Sequence, residues 1–368
     1  MINCPLELSC FRPGYREARA TFLAAVRRLP ASLRQSCGAH LHPQTGPQDT
    51  PLFCDWVWVG QSGTPERILV LISGTHGIEG FAGSAIQSDC LPLLREILAS
   101  RAWLGVLLIH ALNPWGFAWQ RRCDHEGIDL NRNFIDFRSA LPGNPVYEQL
   151  HADLMAADEI RAEAALLEWQ QRLGRDAYET AVTQGQYTHP DGLFFGGTAP
   201  GWSRGLLEAE CRQPPFQQAE RIGVIDLHTG LGPFGYGEVI NDNPPDTPGD
   251  IHARAWYGDN ARSPLLGESC SGPKLGLLDY YWHDLIGERG CFVTLEFGTY
   301  SFAQLLSGLR VEQVYHNSYE RDVGLRDLDH PSIVGLRQFA CPGDISWRQM
   351  VLFRGRQIVS LALQGLMQ

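Results

Sequence analysis

The stretch Ile68–Gly80, ILVLISGTHGIEG, sets an imidazole and a carboxylate three residues apart, His76 and Glu79, among Gly74, Gly77 and Gly80. Both side chains are good zinc ligands. At i and i+3 they face one point if the loop takes a helical turn. A third ligand must come from elsewhere in the chain. The run RIGVIDLH ends in His228, and CFVTLEF carries Glu296 near its end. His76, Glu79 and His228 would form a His₂Glu set, three protein ligands with one position left open, which is the arrangement of catalytic zinc. Glu296, off the metal, is the candidate general base. A phosphate loop is the competing reading of GTHGIEG. Its glycines run GxxGxxG and not GxGxxG, and Glu79 would repel a pyrophosphate.

These residues can meet only if the segments that carry them end side by side. Ile68–Ile72 reads as a buried strand, and so do Trp103–Ala111, Arg221–His228 and Cys291–Phe297. After Gly80, FAGSAIQSDCLPLLREIL reads as a helix that Pro92 limits or kinks. Strand, turn, helix and strand by residue 111 make a βαβ unit with a parallel pair. In such a sheet the polar strand ends share the carboxyl edge, where α/β proteins keep their sites. Phe53–Val59 alternates as an edge or second strand. A first helix is expected near Tyr15–Leu29, limited by Pro30. Gly38–Thr50 reads as a polar loop in which His40 and His42 are solvated. Residues 145–184 are rich in Ala, Glu, Leu, Gln and Arg and read as a solvated helical insertion. Residues 185–205 form an irregular loop suited to the wall of a pocket, with His189 structural. Ala261–Gly276 reads as loop, and Ser346–Gln368 as a closing amphipathic helix. Without repeats or a composition break, the chain reads as one α/β domain over residues 1–368. Its core is a twisted, mixed, mostly parallel sheet flanked by helices.

The 368 residues are 44% hydrophobic and 19% charged, enough for a large core. The formal net charge is −11, with no basic stripe, so a nucleic-acid partner is not expected. The N-terminal stretch has no charged segment followed by an apolar one, and no apolar run is long enough to span a membrane. The expectation is a cytoplasmic protein. The ten cysteines are scattered, with no CxxC pair. They read as free, mostly buried thiols in a reducing compartment, which makes a cysteine zinc site improbable.

The second informative stretch is Asn113–Phe137, NPWGFAWQRRCDHEGIDLNRNFIDF. It is dense in Arg and Asn yet interleaved with Trp115, Phe117, Trp119, Phe134 and Phe137, and reads as the lining of a cleft. Together with GTHGIEG, VIDLHTG and TLEFG, in that order, it resembles the zinc carboxypeptidase (carboxypeptidase A-like) family. The likeness is greatest to a bacterial branch close to the succinylglutamate desuccinylase and aspartoacylase deacylases. The resemblance covers roughly Ile68–Tyr300, and DLNRNF after an NPxG turn is its most specific part. It implies one Zn²⁺ per chain on His76, Glu79 and His228. It implies that Asp129 hydrogen-bonds His76, and that Arg122 polarises the scissile carbonyl. It further implies that Asn131 and Arg132 hold the substrate's terminal carboxylate, and that Glu296 shuttles the proton. A guanidinium suits a carboxylate bidentately, and a fixed cation beside a developing oxyanion lowers the barrier. For Arg121 and Arg122 the plain alternative is surface charge. Two features depart from the family. Its substrate-capping tyrosine has no secure match, Tyr280, Tyr281 and Tyr236 standing nearest, and the helical insertion is extra. The expected function is hydrolysis of an amide bond next to a free carboxylate in a small peptide. An N-acyl amino-acid deacylase on the same site is the alternative. A zinc- or ligand-binding protein without turnover is a third reading, and Glu296 counts against it because a binder needs no base.

Overall fold

A computed structural model of the chain describes residues 5–318 and 326–368. Its strands are β1 (Arg34–Thr45), β2 (Pro51–Gly60), β3 (Arg67–Ser73), β4 (Leu104–His110), β5 (Arg221–Gly230), β6 (Gly237–Ile240), β7 (Ala261–Arg262) and β8 (Gly290–Gly298). They form one sheet in the order β1-β2-β4-β3-β5-β8-β6-β7. The inner four, β4, β3, β5 and β8, are mutually parallel. β2 runs antiparallel to β4, and β6 antiparallel to β8, so the sheet is mixed, as expected.

The continuous apolar runs arise because both faces of the inner strands are covered. Leu69 and Leu71 of β3 point into one core with Phe22, Leu94, Trp256 and Ile358, carried by helices Tyr15–Arg27, Gly80–Leu98, Pro248–Tyr257 and Ile345–Leu366. Ile68, Val70 and Ile72 point into the other, with Leu207, Phe216, Leu278 and Trp282. Helix Gly80–Leu98 runs through Pro92 without ending there.

The polar loop expected over Gly38–Thr50 is instead mostly strand β1, paired antiparallel with β2 through Ala39↔Asp55 and Leu41↔Phe53. The reason lies in its exposure. An edge strand held by backbone hydrogen bonds needs no apolar face, and Leu41 is 61% exposed. His42 is not solvated either: it is buried against Trp202 and His125. The short strand β6 lies outside the sequence reading, and β7 forms the start of Ala261–Gly276, expected to be loop throughout.

Residues 145–183 do form helices, Pro145–Leu154, Glu159–Leu173 and Arg175–Thr183. They are not merely solvated, since Tyr147, Leu150, Tyr178 and Val182 share a core with Phe117, Phe194 and Leu306. Cys4 lies outside the described residues. The other nine cysteines are free thiols, most of them buried. Among the described residues no helix is long and apolar enough to cross a membrane.

Candidate metal centre and its pocket

Parallel pairing brings the polar strand ends together. His228 of β5 is the direct partner of Glu296 of β8, so the two side chains stand abreast on one face. β3 ends at Ser73, and the chain then turns tightly through His76 and a short 3₁₀ turn, Gly77–Glu79, before entering helix Gly80–Leu98. That turn is stitched to the arginine stretch. Gly77 N–H donates to the Arg122 carbonyl at 3.2 Å and Ile78 N–H to the Arg121 carbonyl at 2.8 Å. The backbones approach so closely that a Cβ on Gly77 would lie 2.1 Å from the carbonyl carbon of Gly116. Only glycine fits there.

The turn aims both side chains at His228. His76 Nδ1 is 2.8 Å from Glu79 Oε1, His228 Nδ1 is 3.0 Å from Glu79 Oε2, and the two Nδ1 atoms are 3.1 Å apart. The second nitrogen of each ring is taken. His76 Nε2 lies 3.2 Å from Asp129 Oδ1, and His228 Nε2 lies 2.6 Å from Asp226 Oδ2. Asp226 in turn accepts from Thr75 Oγ1 at 2.8 Å. A carboxylate at each Nε2 favours the tautomer with its proton there. Both Nδ1 lone pairs then face a carboxylate and each other, with no hydrogen between them. A cation is the group that relieves this. Donor atoms of His76, Glu79 and His228 all lie within 4.8 Å of one another and are buried. Two imidazoles and a carboxylate, each imidazole backed by a carboxylate, suit zinc. Without a metal, a proton on His228 Nδ1 is what supplies positive charge there. Burial disfavours a charged His228, but Asp226 and Glu79 outweigh it and its pKa stands well above the ordinary histidine value. Burial likewise disfavours a charged Glu79, and His76 and His228 overcome it, holding the carboxyl far below its usual range.

Arg122 fits around this cluster. Its Nε donates to Asp129 Oδ2 at 2.9 Å and its Nη1 to Glu79 Oε1 at 3.3 Å. Arg121 turns the other way, donating to Glu312 Oε1 and Gln313 Oε1, and is 1% exposed. Neither arginine is surface charge. Glu296 lines the same pocket as the three candidate ligands. Its Oε1 accepts the Leu231 N–H at 2.8 Å. Burial, and then the charge of Glu79, push its carboxyl up to about 7.

Arg132 is buried on the pocket wall. Its Nε and Nη2 donate to the Thr183 carbonyl at 3.1 and 2.7 Å, and its Nη1 to the Asn131 carbonyl at 2.5 Å. Thr183 is the last residue of helix Arg175–Thr183, whose terminal carbonyls have no partner within the helix. Asn131 Oδ1 accepts the first N–H of helix Leu278–Ile286, that of Leu278, at 2.7 Å. The aromatic residues of Asn113–Phe137 do not line the cleft as expected. Trp115, Phe117, Trp119 and Phe134 are core, and the polar residues Arg122, Asn131 and Arg132 line it. None of Tyr236, Tyr280 and Tyr281 reaches the lining. Phe194, from the irregular loop, does, and so do Asp242, Lys274 and Asp279, which the sequence reading missed. Asp226 was missed too, although an Asp two residues before a strand histidine must share its face.

Asp129 is both a partner of His76 and a turn residue, since its Oδ1 also accepts the Asn131 N–H at 3.0 Å. Asp129→Ala is therefore expected to weaken zinc binding by about 10–100-fold and to lower the melting point of the zinc-free protein as well. Zinc titration with calorimetric melting checks both halves. An unchanged zinc affinity would reduce Asp129 to a turn residue.

In comparison with known proteins, no curated protein matches the sequence. Among solved structures, a carboxypeptidase A from Helicoverpa armigera superposes with a TM-score of 0.53 at 9% identity, covering 96% of this chain and 73% of that one. An aspartoacylase family protein from Mesorhizobium loti is matched at 14% identity over 78% of this chain and 66% of that one, with a TM-score of 0.37. A succinylglutamate desuccinylase from a Silicibacter species is matched at 11% identity over 78% of this chain and 67% of that one, with a TM-score of 0.39. The first likeness shows that the fold is carboxypeptidase A-like, as the sequence motifs implied. Residues 11–354 match a family model, and on that match the chain belongs to the family described as protein of unknown function (DUF2817).

Proposed function

We propose that the chain is a zinc-dependent hydrolase that cleaves an amide bond next to a free carboxylate. The observation that carries this reading is the meeting of His76 Nδ1, His228 Nδ1 and Glu79 beside Glu296, with Asp129 and Asp226 occupying the far nitrogens. His76, Glu79 and His228 would hold one zinc. Bound there, zinc acidifies water and polarises a carbonyl. Glu296 takes the water's proton and returns it to the leaving nitrogen. Before metal binds, burial and Glu79 hold its carboxyl at about 7, and the charge of zinc would lower it toward the base form that the first half of the task needs. Arg122 is fixed by Asp129 and Glu79, so it brings a preorganised positive charge to the carbonyl oxygen as that oxygen becomes negative. Arg132 holds the substrate's carboxylate. Asn131 assists with its amide N–H groups, since its oxygen is already engaged.

Turnover of a mixed pool of peptides and N-acyl amino acids by the zinc-loaded protein, read by mass spectrometry, tests the proposal. Its two arms separate peptidase from deacylase, and no product in either arm sinks the reading. Arg132→Ala is expected to lower kcat/KM for substrates with a free carboxylate by about 10–100-fold, the worth of a charged hydrogen bond. The amidated counterparts should change far less. Misfolding would lower both alike, so the ratio is the measurement, and equal losses would remove Arg132 from recognition.

A further inference from the structure

Two ionisable groups buried in this pocket, Arg132 and Asp279, lack a charged partner within hydrogen-bond distance among the described residues. Arg132 is 1% exposed, donates to backbone carbonyls, and forms no ion pair among the described residues. Asp279 is 2% exposed, and neither of its carboxylate oxygens has a hydrogen-bond partner among the described residues. It sits in the first turn of helix Leu278–Ile286, and both Arg132 and Asp279 line the pocket. One turn along, His283 Nε2 stands 3.9 Å from Asp279 Oδ2, beyond hydrogen-bond reach, and is itself unpartnered. Burial pushes the His283 imidazole down to about 4, so at neutral pH it carries no charge to offer.

The other charges in the pocket are better matched. Arg122 is engaged by Asp129 and Glu79. Lys274 donates to Ser271 Oγ and to the Gly272 carbonyl, and Lys274 and Asp242 each ease the other's burial from a longer range. Among the described residues Asp279 has no such counter-charge. Burial and then the charge of Asp242 drive its pKa well up. A buried carboxylate without a counter-charge, and a buried guanidinium that Asp129 eases only from longer range, are each unfavourable. A ligand that brings a carboxylate to one and a cation to the other relieves both.

In an amide substrate the α-nitrogen belongs to the scissile bond, so a cation can come only from the side chain. Ile240, Leu277 and Phe292 supply apolar wall for the methylene stem of such a side chain. We infer that the pocket selects substrates whose carboxylate-bearing amino acid has a basic side chain, lysine- or arginine-like, with Asp279 holding the cation and Arg132 the carboxylate. This rests on the reading of the pocket as a site of amide hydrolysis beside a carboxylate.

The experiment has a binding arm and a turnover arm, both on the zinc-loaded full chain. In the first, L-arginine, L-lysine and L-norleucine are titrated by calorimetry. The basic amino acids are expected to bind about 10–100-fold more tightly than norleucine, and Asp279→Asn to collapse that difference. Without ligand, Asp279→Asn is expected to melt at or above the wild-type temperature, because the amide is neutral and carries none of the burial cost of an ionisable carboxyl. A structural pairing of Asp279 with His283 would make it melt lower and overturn the assignment. If the variant fails to fold, which likewise marks Asp279 as structural, the assignment is overturned too. In the second arm, matched substrates ending in Arg, Lys, Leu or Glu are compared by kcat/KM. Cleavage with no preference for Arg and Lys overturns the inference and leaves the hydrolase standing. A basic preference in binding with no cleavage supports the pocket assignment and sinks the hydrolase. Neither binding preference nor cleavage overturns both.

Discussion

Glu296→Gln is expected to keep its zinc and to lose about 10²–10⁴-fold in turnover. The amide has the same shape and can still accept the Leu231 N–H, so the local backbone has no cause to move. It cannot take a proton from water. The substitution also removes a carboxyl that burial and Glu79 already push up to about 7, so the zinc-free fold should not suffer. The measurements are kcat and zinc content on the same preparation. Near-normal turnover at full zinc occupancy would move the base to another group.

His228→Ala is expected to abolish the stabilisation that zinc confers. A ligand bound only by the folded state and present at roughly 1,000 times its Kd adds about 4 kcal/mol. Removing one of three protein ligands takes most of that away. The zinc-free variant should be less stable too, since Asp226, wholly buried, keeps only the Thr75 hydroxyl as a side-chain partner. Breaking a buried charged pair in this way costs about 3–5 kcal/mol. Thermal melts with and without zinc separate the two effects. A second group of metal-binding type, His151, His189 and Asp191, lies in the helical insertion and the loop after it. Its stacked, parallel rings, 3.8 Å apart, cannot both turn their in-plane lone pairs on one ion as they stand. If His228→Ala kept the full zinc-dependent rise in melting temperature, the metal would sit away from β5.

What was legible in the sequence follows from burial. The inner strands read correctly because both faces are covered and their runs are continuous, and the candidate ligands sit at or just beyond the ends of those runs. β1 left no such mark, for it is an exposed edge strand whose pairing lies in its backbone. Arg121 and Arg122 could not be told apart as neighbours in a chain. The difference between them is made by Glu312, which lies 191 residues from Arg121 in sequence. Asp279 gave no signal, because one acid at the start of a short amphipathic helix looks like an ordinary first-turn charge. Only the fold reveals that, among the described residues, its carboxylate has no hydrogen-bond partner.

The hydrogen bonds from Arg132 to the Thr183 carbonyl have an evolutionary consequence. A carbonyl belongs to the backbone, so no side-chain replacement at position 183 deletes it. What sets the aim of the arginine is where helix Arg175–Thr183 stops. Adding or removing one residue in that helix turns its end by about 100° and shifts it by about 1.5 Å. The exposed positions of the insertion can thus drift in sequence while its length stays fixed, whereas Tyr147, Leu150, Tyr178 and Val182 are held by the core. A single-codon insertion or deletion there would redirect the guanidinium with every residue of the pocket still in place.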